Sequence, residues 1–215
     1  SCHDDGCMPP APSSSLTASF RGKVSGIDLW VVDLDGRDPG AELALPIEDR
    51  SDSERLVHPI DRHRFLAGRA AARTVVASYL GVVPRSIQLA RQRDGKPSFM
   101  GAPPFSFSRS GGIGLLAVGY DREIGVDVER LREIPEASDL AARHLSSVER
   151  ARWLAEGAGA EAFLRAWTRL EASLKALGFG LTIAEGARAS LDDVEVLNLD
   201  LLPGHAVALA RAFPR

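Results

Sequence analysis

Residues 104–130 read PFSFSRSGGIGLLAVGYDREIGVDVER, and the fold class turns on them. In 104–109 apolar and polar residues alternate with the period of a strand, and Gly111-Gly112 then breaks the run. Residues 113–119 and 124–129 read as two further strands with a turn near Asp121. Gly112-x-Gly114-x-x-Ala117 nominally fits the glycine pattern of a dinucleotide-binding turn. That pattern needs a helix to start at the glycines, whereas Leu115, Leu116, Ala117 and Val118 read as a strand, so it is rejected. No Walker loop occurs in the chain. Strands following one another without intervening helices argue against regular βαβ units and for a mixed α+β fold.

Upstream, residues 24–33 (VSGIDLWVVD) read as a strand and residues 61–80 as a helix stopped by Gly81. Residues 86–90 form a short predicted strand, followed by the turn Asp94-Gly95-Lys96-Pro97. Downstream, residues 146–156 and 160–177 are predicted helices, the second ending at Gly178, and 181–213 return to short strands. Residues 1–19, rich in Ser, Pro and Ala, read as a disordered leader. An internal echo runs through the pattern. Phe65-Leu66 leads a helix to Leu80-Gly81, and Phe163-Leu164 leads one to Leu177-Gly178, which is compatible with two similar halves.

The 215 residues suffice for one large domain or two small ones. A net charge of −3 gives no bulk attraction to nucleic acid or to an anionic membrane. No apolar run approaches the ~20 residues of a membrane span, and no basic-then-apolar start suggests a signal peptide. The only cysteines, Cys2 and Cys7, lie in the N-terminal tail; with His3 they fall short of the four ligands of an ordered zinc site. A reducing cytoplasm is the expected location. Cations are nearly all arginine, with lysine at positions 23, 96 and 175 alone.

In the strand around Ile124-Gly-Val-Asp-Val-Glu129, Ile124, Val126 and Val128 face the core, while Gly125, Asp127 and Glu129 share the other face. Carboxylates two residues apart lie about 6–7 Å apart at the backbone and can converge on one hard cation such as Mg²⁺. The same pattern also suits a solvated polar strand face. Phe163, Trp167, Leu170, Leu174 and Leu177 make one apolar stripe on the predicted helix, with Glu171 and Lys175 at its edge one turn apart. Those two can be an ordinary helix-stabilising pair. Beside Asp127 and Glu129 they can instead supply a third metal ligand or general base and a cation for a leaving phosphate. On the first predicted helix, Arg62, Arg69 and Arg73 fall within about 40° of one another at 100° per residue. Leu66, Val76 and Leu80 share that face, so the arginines require carboxylates or an anionic ligand as partners. Arg91, Arg93, Lys96, Ser108 and Arg109 follow, a local basic segment suited to a small polyanion.

Taken in order, RFLAGRAAAR (64–73), GKP (95–97), FSFSRSG (105–111), IGVDVE (124–129) and WTRLEASLKALG (167–178) resemble the Sfp-type 4′-phosphopantetheinyl transferase family. The resemblance implies two similar α/β halves related by a pseudo-twofold, with the active site in the cleft between them. It divides the chain after the leader into an N-terminal half, 20–119, contacting coenzyme A phosphates, and a C-terminal half, 120–215, carrying the metal-binding and catalytic residues. The implied activity is that of an Mg²⁺-dependent holo-[carrier protein] synthase. The 4′-phosphopantetheine arm of coenzyme A moves to a serine of an acyl or peptidyl carrier protein, in fatty-acid, polyketide or nonribosomal-peptide synthesis, and adenosine 3′,5′-bisphosphate leaves. By position, Asp127, Glu129 and Glu171 are the implied Mg²⁺ ligands. Glu171 also helps deprotonate the serine, and Lys175 assists the leaving phosphate. Lys96, Ser108, Arg69, Arg91, Asp127 and Lys175 are the implied coenzyme contacts. A monomer is the expected state.

Two positions depart from the family pattern. Arg109 stands where the family usually has a coenzyme-contacting His, which predicts altered coenzyme geometry or pH dependence without loss of binding. Leu170 stands where a Lys or Arg usually precedes the glutamate; it falls in the apolar stripe, and the missing cation is open to weaken coenzyme or carrier binding. Beside the transferase, two other classes fit these residues: a coenzyme A-binding homologue with little turnover, and a metal-dependent nucleotide hydrolase.

Overall fold

The computed structural model describes residues 18–36, 40, 45–91, 97–179 and 193–214, with the backbone alone at 89–91 and 97. The predicted leader, apart from its last two residues, and the turn 94–96 lie outside the described residues. Strands β1 (Ala18–Val24) and β2 (Ile27–Asp33) form a hairpin. The stretch 24–33 is therefore not one strand: Ser25 and Gly26, with φ of 49° and 77°, make the two-residue turn that right-twisted hairpins favour. Residues 18 and 19 are the start of β1 and do not belong to a leader.

Helix α1 (Ile47–Glu54) leads to α2 (Pro59–Leu80), which carries proline in its first turn and closes on a left-handed Gly81. The predicted strand at 86–90 is instead a 3₁₀ turn (Pro84–Ser86) followed by β3 (Leu89–Arg91), paired with β4 (Pro97–Phe99). Next come β5 (Phe105–Ser110), β6 (Ile113–Val118) and β7 (Ile124–Arg130), as the alternation predicts. Helices α3 (Ala137–His144), α4 (Ser147–Ala155) and α5 (Ala160–Leu177) follow, then β8 (Val194–Asn198) and β9 (His205–Ala212).

The main sheets are antiparallel, in the orders β1-β2-β6-β5 and β7-β9-β8. Their inner faces meet: Leu29, Val31, Leu115 and Ala117 of the first pack on Val126, Val128, Val207 and Leu209 of the second. Helix α2 covers the outer face of the first sheet, through Ala72, Val75 and Val76 against Trp30, Leu116 and Val118. Helix α5 covers the second, through Ala172 and Ala176 against Ala208 and Ala210. The molecule is thus layered helix, sheet, sheet, helix.

Each half runs strand, helix, strand, strand, and the last strand inserts between the other two: β2-α2-β5-β6 with β6 central, and β7-α5-β8-β9 with β9 central. The same residue interval separates the strand starts Ile27 and Ile124 and the helix-ending glycines Gly81 and Gly178. The sequence echo is the trace of this pseudo-twofold architecture.

Candidate active site

Glycine at position 125 lets α5 approach β7. A Cβ there would collide with the Ala172 carbonyl and lie 2.6 Å from the Ala176 amide nitrogen, both backbone atoms of α5. The helix therefore rests directly on the polar face of β7 and brings Glu171 and Lys175 over Asp127 and Glu129. A cavity of about 620 Å³ opens at this junction. Its walls come from α2 (Phe65, Arg69), β5 (Ser108, Arg109), β7 (Asp127, Glu129) and α5 (Trp167, Glu171, Lys175), so it lies between the two halves.

Lys175 does not pair with its helical neighbour. Its ammonium reaches Asp127 Oδ1 at 2.7 Å and the Val126 carbonyl at 3.1 Å, and no ion pair joins it to Glu171 among the described residues. The Ser108 hydroxyl donates to the same Asp127 oxygen at 2.7 Å. Asp127 is only 6 % exposed. Burial lifts its carboxyl above the ordinary value, although Lys175 and Ser108 pull the other way. Glu129 accepts hydrogen bonds from Ser110 at 3.0 Å and from Arg132 at 2.7 Å. Burial is the largest cause that pushes the Glu171 carboxyl up to about 7; the Asp127 and Glu129 charges add to it and Lys175 opposes them.

Among the described residues, no three His, Cys, Asp or Glu side chains are already gathered as a metal centre. The donor set nevertheless fits a hard divalent cation. Three carboxylates, those of Asp127, Glu129 and Glu171, border one cavity. Oxygen-only donors of this kind suit Mg²⁺.

The arginine stripe divides. Arg73, 3 % exposed, is satisfied inside the protein by Asp49 and the Ile87 carbonyl, both at 2.7 Å, and Arg62 donates to the Leu56 carbonyl. Arg69 stands 3.5 Å from the other Asp49 oxygen and lines the cavity. Its guanidinium carbon lies 5.1 Å from the centre of the Phe65 ring, and that of Arg109 lies 5.7 Å from the same ring. Of the other predicted coenzyme contacts, Arg91 is described in its backbone only, at the end of β3, and Lys96 lies outside the described residues. Leu170 packs at 6 % exposure in the cluster of Trp153, Phe163 and Leu174.

Phe65, Ser110 and Asp49 were not among the residues that sequence reasoning assigned to the site. Trp167, part of the apolar stripe and first residue of the 167–178 motif, also borders the cavity. Ser110 carried a legible signal, the strict serine alternation of β5, whereas Asp49 carried none.

Residues 123–214 match the model of the 4′-phosphopantetheinyl transferase superfamily. The chain is 32% identical over 208 residues to the 4′-phosphopantetheinyl transferase HetI of Nostoc sp., covering 91% of this chain and 84% of that protein. It is 31% identical over 171 residues to slr0495 of Synechocystis sp., provisionally named for the same activity, covering 77% and 69%. With a phosphopantetheinyl transferase of Thraustochytrium sp. it shares 32% identity over 181 residues, 74% and 62% of the two chains. The matched region holds β7 and α5, the elements that build the acidic wall of the cleft, and the likeness to HetI extends over nearly the whole fold: the chain belongs to the 4′-phosphopantetheinyl transferase superfamily.

Proposed function

We propose that this protein transfers the 4′-phosphopantetheine group of coenzyme A to a serine hydroxyl of an apo acyl or peptidyl carrier protein, releasing adenosine 3′,5′-bisphosphate, with Mg²⁺ as its metal. The observation that carries this reading is the convergence of Asp127, Glu129, Glu171 and Lys175 in one cleft whose other walls hold Arg69 and Arg109. Acidic residues on one side and guanidinium groups on the other suit a cation and a polyphosphate lying between them. When bound, Mg²⁺ supplies Lewis-acid stabilisation of charge on the phosphate oxygens, held by Asp127, Glu129 and Glu171.

The carrier serine oxygen attacks the phosphorus that bears the pantetheine arm. The bond from that phosphorus to the bridging oxygen breaks, and its electron pair leaves with adenosine 3′,5′-bisphosphate. Glu171 takes the serine proton. Lys175, held in place by Asp127 and the Val126 carbonyl, neutralises the leaving phosphate. Arg69 and Arg109 take coenzyme phosphates, joined by Arg91 and Lys96, while Ser108, whose proton goes to Asp127, borders the cleft without donating to them. An arginine at 109 offers a phosphate more hydrogen-bond donors than a histidine would. No helix among the described residues is long and apolar enough to cross a membrane. In this reading the protein works as a cytoplasmic monomer.

Incubation with coenzyme A, Mg²⁺ and several apo carriers, followed by mass measurement of each carrier, tests this. A gain of one phosphopantetheine group is expected. Measurable coenzyme binding without a gain on any carrier would select the binding-only homologue, and free phosphopantetheine formed without carrier would select a hydrolase. Glu171→Gln is expected to abolish transfer with the fold intact. A near-normal rate in that variant removes Glu171 from the role of base.

A further inference from the structure

Strand β7 has two edges, and among the described residues only one is paired strand to strand: β9 runs beside it along the whole of 124–130. On the other edge the Val126, Val128 and Arg130 amides meet serine hydroxyls of β5. Ser106 Oγ accepts from Val126 at 3.0 Å, Ser108 Oγ from Val128 at 3.4 Å, and Ser110 Oγ from Arg130 at 3.0 Å. These serines occupy every second position of β5, so one strand face supplies all three.

A serine hydroxyl has a single proton and can accept as well. With an amide occupying the acceptor side, the proton of Ser108 goes to Asp127 Oδ1 and that of Ser110 goes to Glu129 Oε2. Each of those oxygens also meets a cation at 2.7 Å, Lys175 on Asp127 and Arg132 on Glu129. Both strand carboxylates are thus gripped alike, by one serine and one cation on one oxygen. Among the described residues the second oxygen of each, Oδ2 of Asp127 and Oε1 of Glu129, has no hydrogen-bond partner. Ser110 is not part of the cavity wall, so it reaches the cleft only through Glu129.

We propose that Ser110 is a positioning residue: together with Arg132 it ties down Oε2 of Glu129, so that Glu129 presents a single oriented oxygen to a divalent cation shared with Asp127 and Glu171. This rests on the cation reading given above. Groups that orient a ligating carboxylate typically alter metal affinity about 10–100-fold when removed. Ser106 makes the same amide contact and, although it borders the cavity, has no carboxylate partner among the described residues, so Ser106→Ala separates loss of a seam contact from loss of carboxylate orientation.

The test is Mn²⁺ binding, read from the electron paramagnetic resonance signal of the free ion, on the full chain with coenzyme A present. Ser110→Ala is expected to bind Mn²⁺ about tenfold more weakly than the unaltered protein, with Ser110→Thr restoring the affinity and Ser106→Ala staying within about twofold. Equal affinity in Ser110→Ala, or an equal loss in Ser106→Ala, overturns the proposal and leaves the cation reading standing. Absence of Mn²⁺ binding in the unaltered protein overturns both. Should Ser110→Ala fail to fold, Arg132→Ala removes the other hold on Oε2 at an exposed side chain, and unchanged Mn²⁺ affinity in that variant overturns the proposal equally.

Discussion

Glu171 is half-buried in the cleft beside two other carboxylates, and this fixes the sign of its effect on stability. Its carboxyl titrates near 7 in the folded protein against an ordinary 4.5. Below about pH 4.5 it is protonated whether the chain is folded or not. Between those values the folded form binds the extra proton, so its contribution to stability is lost as pH rises through the folded value and stays lost above it. Metal-free Glu171→Gln is therefore expected to melt higher than the unaltered protein at pH 8, with the gap closing by pH 5. A gap of the same size at both values would show that the carboxyl is not strained by burial. At Gly125 the constraint is steric. Gly125→Ala sets a methyl group against two backbone atoms of α5, which cannot swing aside as a side chain can. Overpacking of this kind costs about 1–3 kcal/mol, measurable by urea denaturation, and pushes Glu171 and Lys175 off the strand carboxylates. Retention of both full stability and carrier modification would contradict the close approach. The sequence showed which face of β7 carries Gly125, Asp127 and Glu129, because strand alternation decides it. It did not show that Lys175 would choose Asp127 over Glu171, because that choice depends on how closely the helix sits on the strand.

At the scale of elements, legibility follows the kind of face each one buries. Helix α5 was predicted to its end residues, since its stripe from Phe163 to Leu177 is apolar and Gly178 stops it with φ of 78°. Helix α1 was missed. Its sequence, IEDRSDSE, has no apolar stripe, and the residues it buries are Asp49 and Ser53. It is held by charge: Asp49 is fully buried and serves both Arg73 and Arg69 of α2. Removing one member of a buried pair leaves the other uncompensated, at a cost of about 3–5 kcal/mol. Asp49→Ala is expected to lose that much in urea denaturation, and a loss below about 1 kcal/mol would mean that Arg73 finds another partner. Pairing to Arg69 and Arg73, on the next helix, leaves no periodic mark in the sequence. Strand β1 was lost for a different reason: its hairpin turn, Ser25-Gly26, sits inside an apolar-alternating run and was read through.

For the whole molecule, the two halves share a path and differ in what they place on it. The counterpart of Gly125 in the first half is Asp28, and the counterpart of Asp127 is Trp30. Asp28 accepts hydrogen bonds from Tyr79 and Tyr120, both at 2.7 Å, and the Trp30 indole donates to Tyr79 at 3.1 Å. Burial and Asp28 together hold the Tyr79 phenol well above its ordinary value. Where the second half lets its helix rest on a strand beside open carboxylates, the first half spaces helix and strand apart with a closed polar cluster. Asp28→Ala is expected to cost about 1 kcal/mol by removing the acceptor that the part-buried Tyr79 and Tyr120 hydroxyls share, while carrier modification per folded molecule stays unchanged. A fall in specific activity larger than the fall in folded fraction would tie that cluster to the cleft. The repeat was faintly visible in the Phe-Leu and Leu-Gly pairs of the two long helices. Its divergence was hidden, because Trp30 reads as an ordinary strand residue until its counterpart is known.

The serine contacts between β5 and β7 bear on how such a protein can change over generations. A backbone ladder persists whatever side chains ride on it, whereas a hydroxyl rung exists only while its codon specifies serine or threonine. The joint between the halves is consequently written in the gene one residue at a time, and a single nucleotide change can reset it without disturbing a strand. Heritable variation in how the two halves meet is open to this fold at three named positions, in a way that a continuous sheet would deny it.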